Sequence, residues 1–262
     1  PGAGSDAGCT QTTAALEDGQ WRINGAKEFI TNSGTDITSL VTVTAVTGTV
    51  EGRTGHDGRP AKEISTILVP AGTEGFSVAK AYDKVGWNSS DTHALHFTDA
   101  RVPEENLLGA RGRGFAHFLE ILDEGRIAIA ALATGAAQGC VDESVAYAKQ
   151  RTSFGQKIGQ FQAVSFKIAR MQARAHAARL AYYEAAQKML AGKPFKTEAA
   201  MAKLIAGEAA MDNARDATQV FGGYGFMNET LVARHYRDSK ILEVGEGTTE
   251  VQLMLIAREL GL

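Results

Sequence analysis

Toward its C-terminal end the sequence reads Gly245-Glu246-Gly247-Thr248-Thr249, a carboxylate set between two glycines where a helical pattern breaks. So little bulk surrounds Glu246 that a substrate carbon could come close to it, as a general base removing a carbon-bound proton requires. The same spacing equally describes an exposed acid near a helix N-terminus, where negative charge is mildly favourable. Thr249 and Gln252 read as a capping box that would fix the local backbone.

Other segments offer binding chemistry. Gln219-Val220-Phe221-Gly222-Gly223-Tyr224-Gly225 allows close backbone approach, because glycine lacks a Cβ and tolerates positive φ. It suits a phosphate or a planar ring, and it also suits a helix C-cap followed by a tight turn. Arg151, followed by Thr152 and Ser153, sets a bidentate cation beside two hydroxyls, which fits a pyrophosphate or simply a solvated arginine at a helix end. Asp123 and Arg126 share a helical face at a spacing that also makes an ordinary intrahelical ion pair. Gly2, Gly4 and Ser5 form a turn with exposed amides, and Phe29-Ile30-Thr31-Asn32 ends a strand with an aromatic beside a hydroxyl. Neither a Rossmann glycine fingerprint nor a phosphate-binding loop motif occurs.

The elements that must hold these residues fall into two halves. From Trp21 to about Pro103, short β-branched and apolar runs such as Leu40 to Val46, Ile64 to Val69 and Ala94 to Phe97 alternate with Gly, Asn, Asp and Ser, the pattern of strands and turns. The charged, glycine-bearing stretch Gly52 to Pro60 reads as a loop. After Arg111-Gly112-Arg113-Gly114 the composition shifts to good helix formers, and Phe115, Phe118, Leu119 and Leu122 recur at helical spacing. Helices are expected over 115–150, 160–191, 195–220, 229–241 and 248–260. The fold class is therefore α+β: a mostly antiparallel β domain over 1–108, then an all-α domain of the four-helix-bundle type over 109–262.

Composition narrows the function classes. The 262 residues are 44% hydrophobic, enough to bury a sizeable core in one or two domains of a soluble, globular protein. The 27 basic and 30 acidic residues, net charge -3, are interspersed, so nucleic acid and anionic membrane surfaces are not expected partners. No apolar run reaches the roughly 18 residues of a membrane-spanning helix. Cys9 and Cys140 give no disulfide framework, which suits a reducing compartment. The six histidines are scattered apart from His93 and His96, so no metal site is expected. The opening Pro1-Gly2-Ala3-Gly4-Ser5-Asp6 carries no targeting pattern and reads as a start in mid-protein.

Taken in order, Pro1-Gly2-Ala3-Gly4-Ser5-Asp6, Asn24-Gly25-Ala26-Lys27-Glu28-Phe29-Ile30-Thr31-Asn32, Arg151-Thr152-Ser153-Phe154-Gly155, Gln219-Val220-Phe221-Gly222-Gly223 and Glu246-Gly247-Thr248 resemble the acyl-CoA dehydrogenase family over essentially the whole chain. The resemblance implies a middle, barrel-like β domain followed by the C-terminal helical domain, with the family's preceding helical domain absent. It implies that Glu246 is the base removing the proton next to a thioester carbonyl, while a hydride passes to FAD. Such a base works when desolvated, with its pKa raised toward the working pH. In some members the base instead precedes the arginine matching Arg126, where this chain has Gly125. Ser5, Phe29, Thr31, Thr248 and Glu250 match flavin contacts, Phe29 standing where many members have tryptophan. Arg151, Ser153, Phe154, Gln162, Gln219, Gly222 and Gly223 match positions that reach the FAD diphosphate and adenosine of a neighbouring subunit, implying a homo-oligomer, usually a tetramer built as a dimer of dimers. Ser5, Ser90, Asp123, Arg126, Gly247 and Arg258 match acyl-CoA contacts, and Gly245 replaces a bulky aromatic, leaving room beside the acyl chain. The partners implied are the acyl-CoA substrate and an electron-transfer flavoprotein, in the cytoplasm of a bacterium or the mitochondrial matrix of a eukaryote. An acyl-CoA oxidase using oxygen and a catalytically silent CoA-binding or flavin-binding subunit are the alternatives.

Overall fold

A computed structural model describes residues 2–55 and 58–262, so Pro1 of the opening motif, and His56 and Asp57 of the expected loop, lie outside the described residues. The chain divides into two compact units, Pro1–Lys84 with Asn88–Glu120 and Val85–Trp87 with Ile121–Leu262.

The first unit holds six strands: β1 (Thr13–Glu17), β2 (Gln20–Thr31), β3 (Leu40–Thr54), β4 (Pro60–Pro70), β5 (Phe76–Val78) and β6 (Thr92–Pro103). They form one sheet in the order β4-β3-β1-β2-β6-β5, antiparallel except for the parallel β1/β3 pair. Period-two alternation puts Val41, Val43 and Ala45 of β3 on the buried face with Trp21 and Ile23 of β2 and Leu95 and Phe97 of β6. Each large side chain so buried contributes about 1.5–3 kcal/mol. Trp21 also donates its indole N–H to the Glu104 carbonyl at 3.2 Å, so its burial leaves no orphaned donor. Contrary to the expected loop over Gly52 to Pro60, β3 continues to Thr54, and the Gly55 amide donates to the Arg59 carbonyl at 2.7 Å to close the hairpin.

Gly25 is fixed by a close approach. A Cβ there would lie 2.6 Å from Thr12 Oγ1 and 2.8 Å from Thr12 Cα, and its φ is +142°. Irregularities in the β2/β6 pairing flank this point, one between Ile23 and Gly25 and one between Lys27 and Ile30.

Helix α1 (Gly114–Gln150) leads into a small ribbon, β7 (Thr152–Ser153) and β8 (Gln156–Lys157), and then α2 (Gln162–Leu190), α3 (Lys196–Phe221), α4 (Leu231–Ser239), α5 (Ile241–Val244) and α6 (Thr249–Glu259). The helix expected over 229–241 is thus divided at Lys240. Buried alanines at helical spacing, Ala130, Ala133 and Ala137 on α1 and Ala199, Ala202 and Ala206 on α3, form the core of the second unit. Small side chains let helix axes approach at the short end of the usual 8–10 Å range. Gly207 of α3 takes this furthest: a Cβ there would sit 2.8 Å from the Leu242 carbonyl oxygen of α5. Among the described residues no helix is long and apolar enough to cross a membrane.

Candidate functional site

Within the second unit, α5 ends at Val244 and α6 starts at Thr249, leaving a short turn that carries Glu246. Glu246 (φ +54°) and Gly247 (φ +90°) both take the left-handed conformation, which L side chains adopt at a cost. Three features hold the turn. Thr248 caps α6, its Oγ1 accepting from the Val251 amide at 3.3 Å. Fully buried Gln252 donates from Nε2 to the Gly247 carbonyl at 2.9 Å and, more weakly, to the Glu246 carbonyl at 3.5 Å. Lys203, buried on α3, donates from Nζ to the same Gly247 carbonyl at 2.7 Å. The capping box expected of Thr249 and Gln252 is corrected here, because the cap lies one residue earlier and Gln252 faces the turn's carbonyls.

The Glu246 carboxylate extends toward α1. A Cβ placed on Gly125 would lie 3.0 Å from Glu246 Oε2, so the glycine next to Arg126 keeps the space the carboxylate occupies. Two sequence positions far apart therefore meet at one point. Arg126 is buried, its Nη1 donates to Asp123 Oδ1, and its Nε makes no hydrogen bond among the described residues. Glu250, in the first turn of α6, is held below the usual carboxylate range by a backbone N–H and the Thr248 hydroxyl. Glu246 itself is exposed in this unit, so the desolvation expected of it is not supplied by the unit's own side chains. Arg258 is exposed in the last turn of α6, away from this cluster in sequence.

In the first unit, the pairing irregularity between Lys27 and Ile30 re-aims Phe29, which has φ +59° and stands 73% exposed with its ring 5.1 Å from that of Tyr82. Phe29 borders a cavity of about 620 Å³ that Gly2, Gly4, Lys27 and Phe115 also line, while Ser5 and Thr31 lie outside its lining. Burial pushes Lys27 down to about 8. Ser90 is half-buried, and its carbonyl accepts from Lys84 Nζ.

A third group gathers where α1 and α3 end. Arg151, Ser153, Gly222 and Gly223 line a cleft of about 570 Å³ with Tyr147, whose ring stacks on Phe221 at 4.1 Å. Nothing lies within 4 Å of a Cβ built on Gly222 or Gly223, and Gly222 has φ +60°. A guanidinium, a hydroxyl, an open glycine backbone and a stacked aromatic pair form a donor set suited to a diphosphate with an attached ring. Phe154, 93% exposed, and the exposed Gln162 and Gln219 belong to the same segments and do not line the cleft.

Backbone strain independently marks these places. Seven non-glycine residues among those described have clearly positive φ, and three are Asp or Asn, which tolerate it. Of the remaining four, Phe29, Phe154 and Glu246 are expected site residues and only Trp87 is not. Strain of this kind concentrates where geometry serves function. Tyr147 and Lys203 went unread in the sequence, and Gln252 was read only as part of a helix cap. Tyr147 lies one helical turn before Arg151, a detectable signal, whereas nothing in the spacing ties Lys203 to position 247.

Residues 1–100 match the family model for the acyl-CoA dehydrogenase middle domain, and residues 112–261 match that for the acyl-CoA dehydrogenase C-terminal domain. A probable acyl-CoA dehydrogenase of Bacillus subtilis is 46% identical over 260 residues, which is 99% of this chain and 66% of that protein. The solved structure of butyryl-CoA dehydrogenase from Megasphaera elsdenii is 42% identical with a TM-score of 0.91, covering 100% of this chain and 66% of that one. The FAD complex of PigA is 32% identical with a TM-score of 0.90, over 100% of this chain and 66% of the other. The chain spans just under two thirds of the length of these relatives.

Proposed function

The chain belongs to the acyl-CoA dehydrogenase family, and from that premise we propose that the protein dehydrogenates an acyl-CoA thioester between its α and β carbons, with Glu246 as the base. The observation that carries this reading is the Glu246 carboxylate, held on a left-handed turn and extended over Gly125. A base must meet the acidic carbon at a defined angle, and a carboxylate on a backbone fixed through Gly247 and Thr248 loses little freedom in doing so. Asp123 and Arg126, joined to each other on α1, would orient the acyl-CoA with Gly247 and Arg258 of the same unit, and the family resemblance adds Ser5 and Ser90 to the acyl-CoA contacts. Proton removal leaves negative charge on the thioester, which donors placed around its oxygen stabilise.

FAD, when bound, supplies the acceptor for the hydride that leaves the β carbon. Arg151 and Ser153 would hold its diphosphate against Gly222 and Gly223, with Phe154, Gln162 and Gln219 alongside. Ser5, Phe29, Thr31, Thr248 and Glu250 would meet the flavin ring system. As the family resemblance implies, we read the protein as a homotetramer, a dimer of dimers in which neighbouring subunits share cofactors. Electrons then pass to an electron-transfer flavoprotein. A bacterial cytoplasm or a mitochondrial matrix suits a chain with two cysteines.

Anaerobic titration of the flavin-loaded protein with acyl-CoAs of graded length, starting from butyryl-CoA, tests the reading through bleaching of oxidised flavin. Glu246→Gln should keep acyl-CoA binding and lose bleaching. Equal bleaching in both proteins removes Glu246 from the chemistry, and fast reoxidation by air without an acceptor protein would assign an oxidase instead.

A further inference from the structure

We propose that Lys203 is a positioning residue for Glu246: its buried ammonium group, bonded to the Gly247 carbonyl, holds the left-handed turn and places a positive charge behind the base. The inference rests on the reading of Glu246 as that base.

A lysine 1% exposed is uncommon, because burying an ammonium ion costs several kcal/mol unless it is paired. Among the described residues no carboxylate forms an ion pair with it. Its one hydrogen bond among the described residues goes to the backbone oxygen of the residue after Glu246, at 2.7 Å. A charged donor to a neutral carbonyl is stronger than a neutral pair, and this bond spans from α3 to the turn. Glycine leaves the backbone at 247 free to take many conformations, so its φ of +90° needs such a tie to stay fixed, and a Cβ there would meet Gln252 Nε2 at 2.7 Å. Gln252 supplies the second donor to the same oxygen at 2.9 Å, which fixes its amide orientation and leaves its Oε1 buried with no partner among the described residues.

The charges acting on Lys203 come from every element around it. Glu243 on α5, Glu246 on the turn and Glu250 on α6 favour the ammonium, and Arg126 on α1 opposes it. Burial outweighs them and brings the lysine down to about 8. Losing the bond to the Gly247 carbonyl frees the turn and displaces the carboxylate that it carries.

Lys203→Met keeps the length of the side chain and removes both donor and charge. Measured anaerobically at saturating acyl-CoA on the flavin-loaded protein, the rate constant for bleaching should fall on the order of 10²-fold, the cost of misplacing a reacting group by about an ångström. Acyl-CoA binding, measured with both proteins on a Glu246→Gln background, should stay within twofold. A merely structural lysine would lower the melting temperature and leave that saturated rate unchanged. Lys203→Gln, a neutral donor, should recover part of the rate by restoring a hydrogen bond to the Gly247 carbonyl, and it carries the test if the methionine variant does not fold. If Glu246→Gln abolishes bleaching while both Lys203 variants keep the wild-type rate, the positioning role is overturned and the base assignment stands. If Glu246→Gln bleaches normally, the base assignment falls first.

Discussion

At Gly125 and Glu246 two residues 121 positions apart are each other's steric condition. Helix propensity alone would favour alanine over glycine at position 125 by about 1 kcal/mol. A methyl there would sit 3.0 Å from Glu246 Oε2, so the glycine leaves room for the carboxylate at the expense of the helix. Gly125→Ala should therefore raise the melting temperature slightly while lowering the bleaching rate about tenfold, since the carboxylate must give way by a few tenths of an ångström. Calorimetry and anaerobic kinetics on the same preparation check both halves, and an unchanged rate would mean that Glu246 does not work from this position. Arg126, adjacent to that glycine, illustrates the limit of residue spacing. The ion pair with Asp123 suggested by the interval of three does form, and the buried unpartnered Nε beside it could be seen only in three dimensions.

Helix contacts decide how the turn is held. α3 reaches α5 through Gly207 and the turn through Lys203, one helical turn earlier on the same helix, so close packing and the hydrogen bond to Gly247 share a register. A methyl at position 207 would press within 2.8 Å of the Leu242 carbonyl, a backbone atom with little room to move. Gly207→Ala should lose about 1–3 kcal/mol despite its better helix propensity, as overpacked cores do. Urea unfolding monitored by helical circular dichroism gives that number, and a stabilised variant would contradict the packing described. On the strand side, the pairing irregularity at Lys27 and Ile30 turns Phe29 outward. Alternation alone did not reveal this, because period-two counting assigns faces only where pairing is regular.

For the molecule as a whole, pH acts through groups lodged between elements. The His93 ring is raised above its ordinary 6.5 by the Ala79 carbonyl and by Asp91, whose oxygen lies 2.6 Å from Nε2. A group whose pKa is higher in the folded state stabilises fully below the unfolded value and loses that contribution as pH rises through the folded one. Asp91, held low chiefly by the Gly34 amide, has the opposite sign and loses its contribution only as pH falls below the ordinary carboxylate range. The urea midpoint of the first unit, followed by Trp21 fluorescence, should thus decline from pH 6.5 upward. His93→Gln should flatten that decline, and an identical slope in the variant would exclude the dyad as its cause.

Composition and periodicity were enough to separate a sheet-forming half from a helical half and to place the long helices within one or two residues, while Glu246, Arg151 and the Gly222-Gly223 pair stayed open between a binding role and an ordinary structural one until the family resemblance selected them. Those features are local: an apolar interval, a shift toward helix formers and a glycine beside a functional group are all written in neighbouring positions. Packing alone brought Gly125 beneath Glu246 and Lys203 behind Gly247, and it alone left Glu246 exposed within its unit. Each of these depends on which distant segments share a few ångströms of space, and that is set by how α1, α3 and the turn before α6 bury their small side chains against one another.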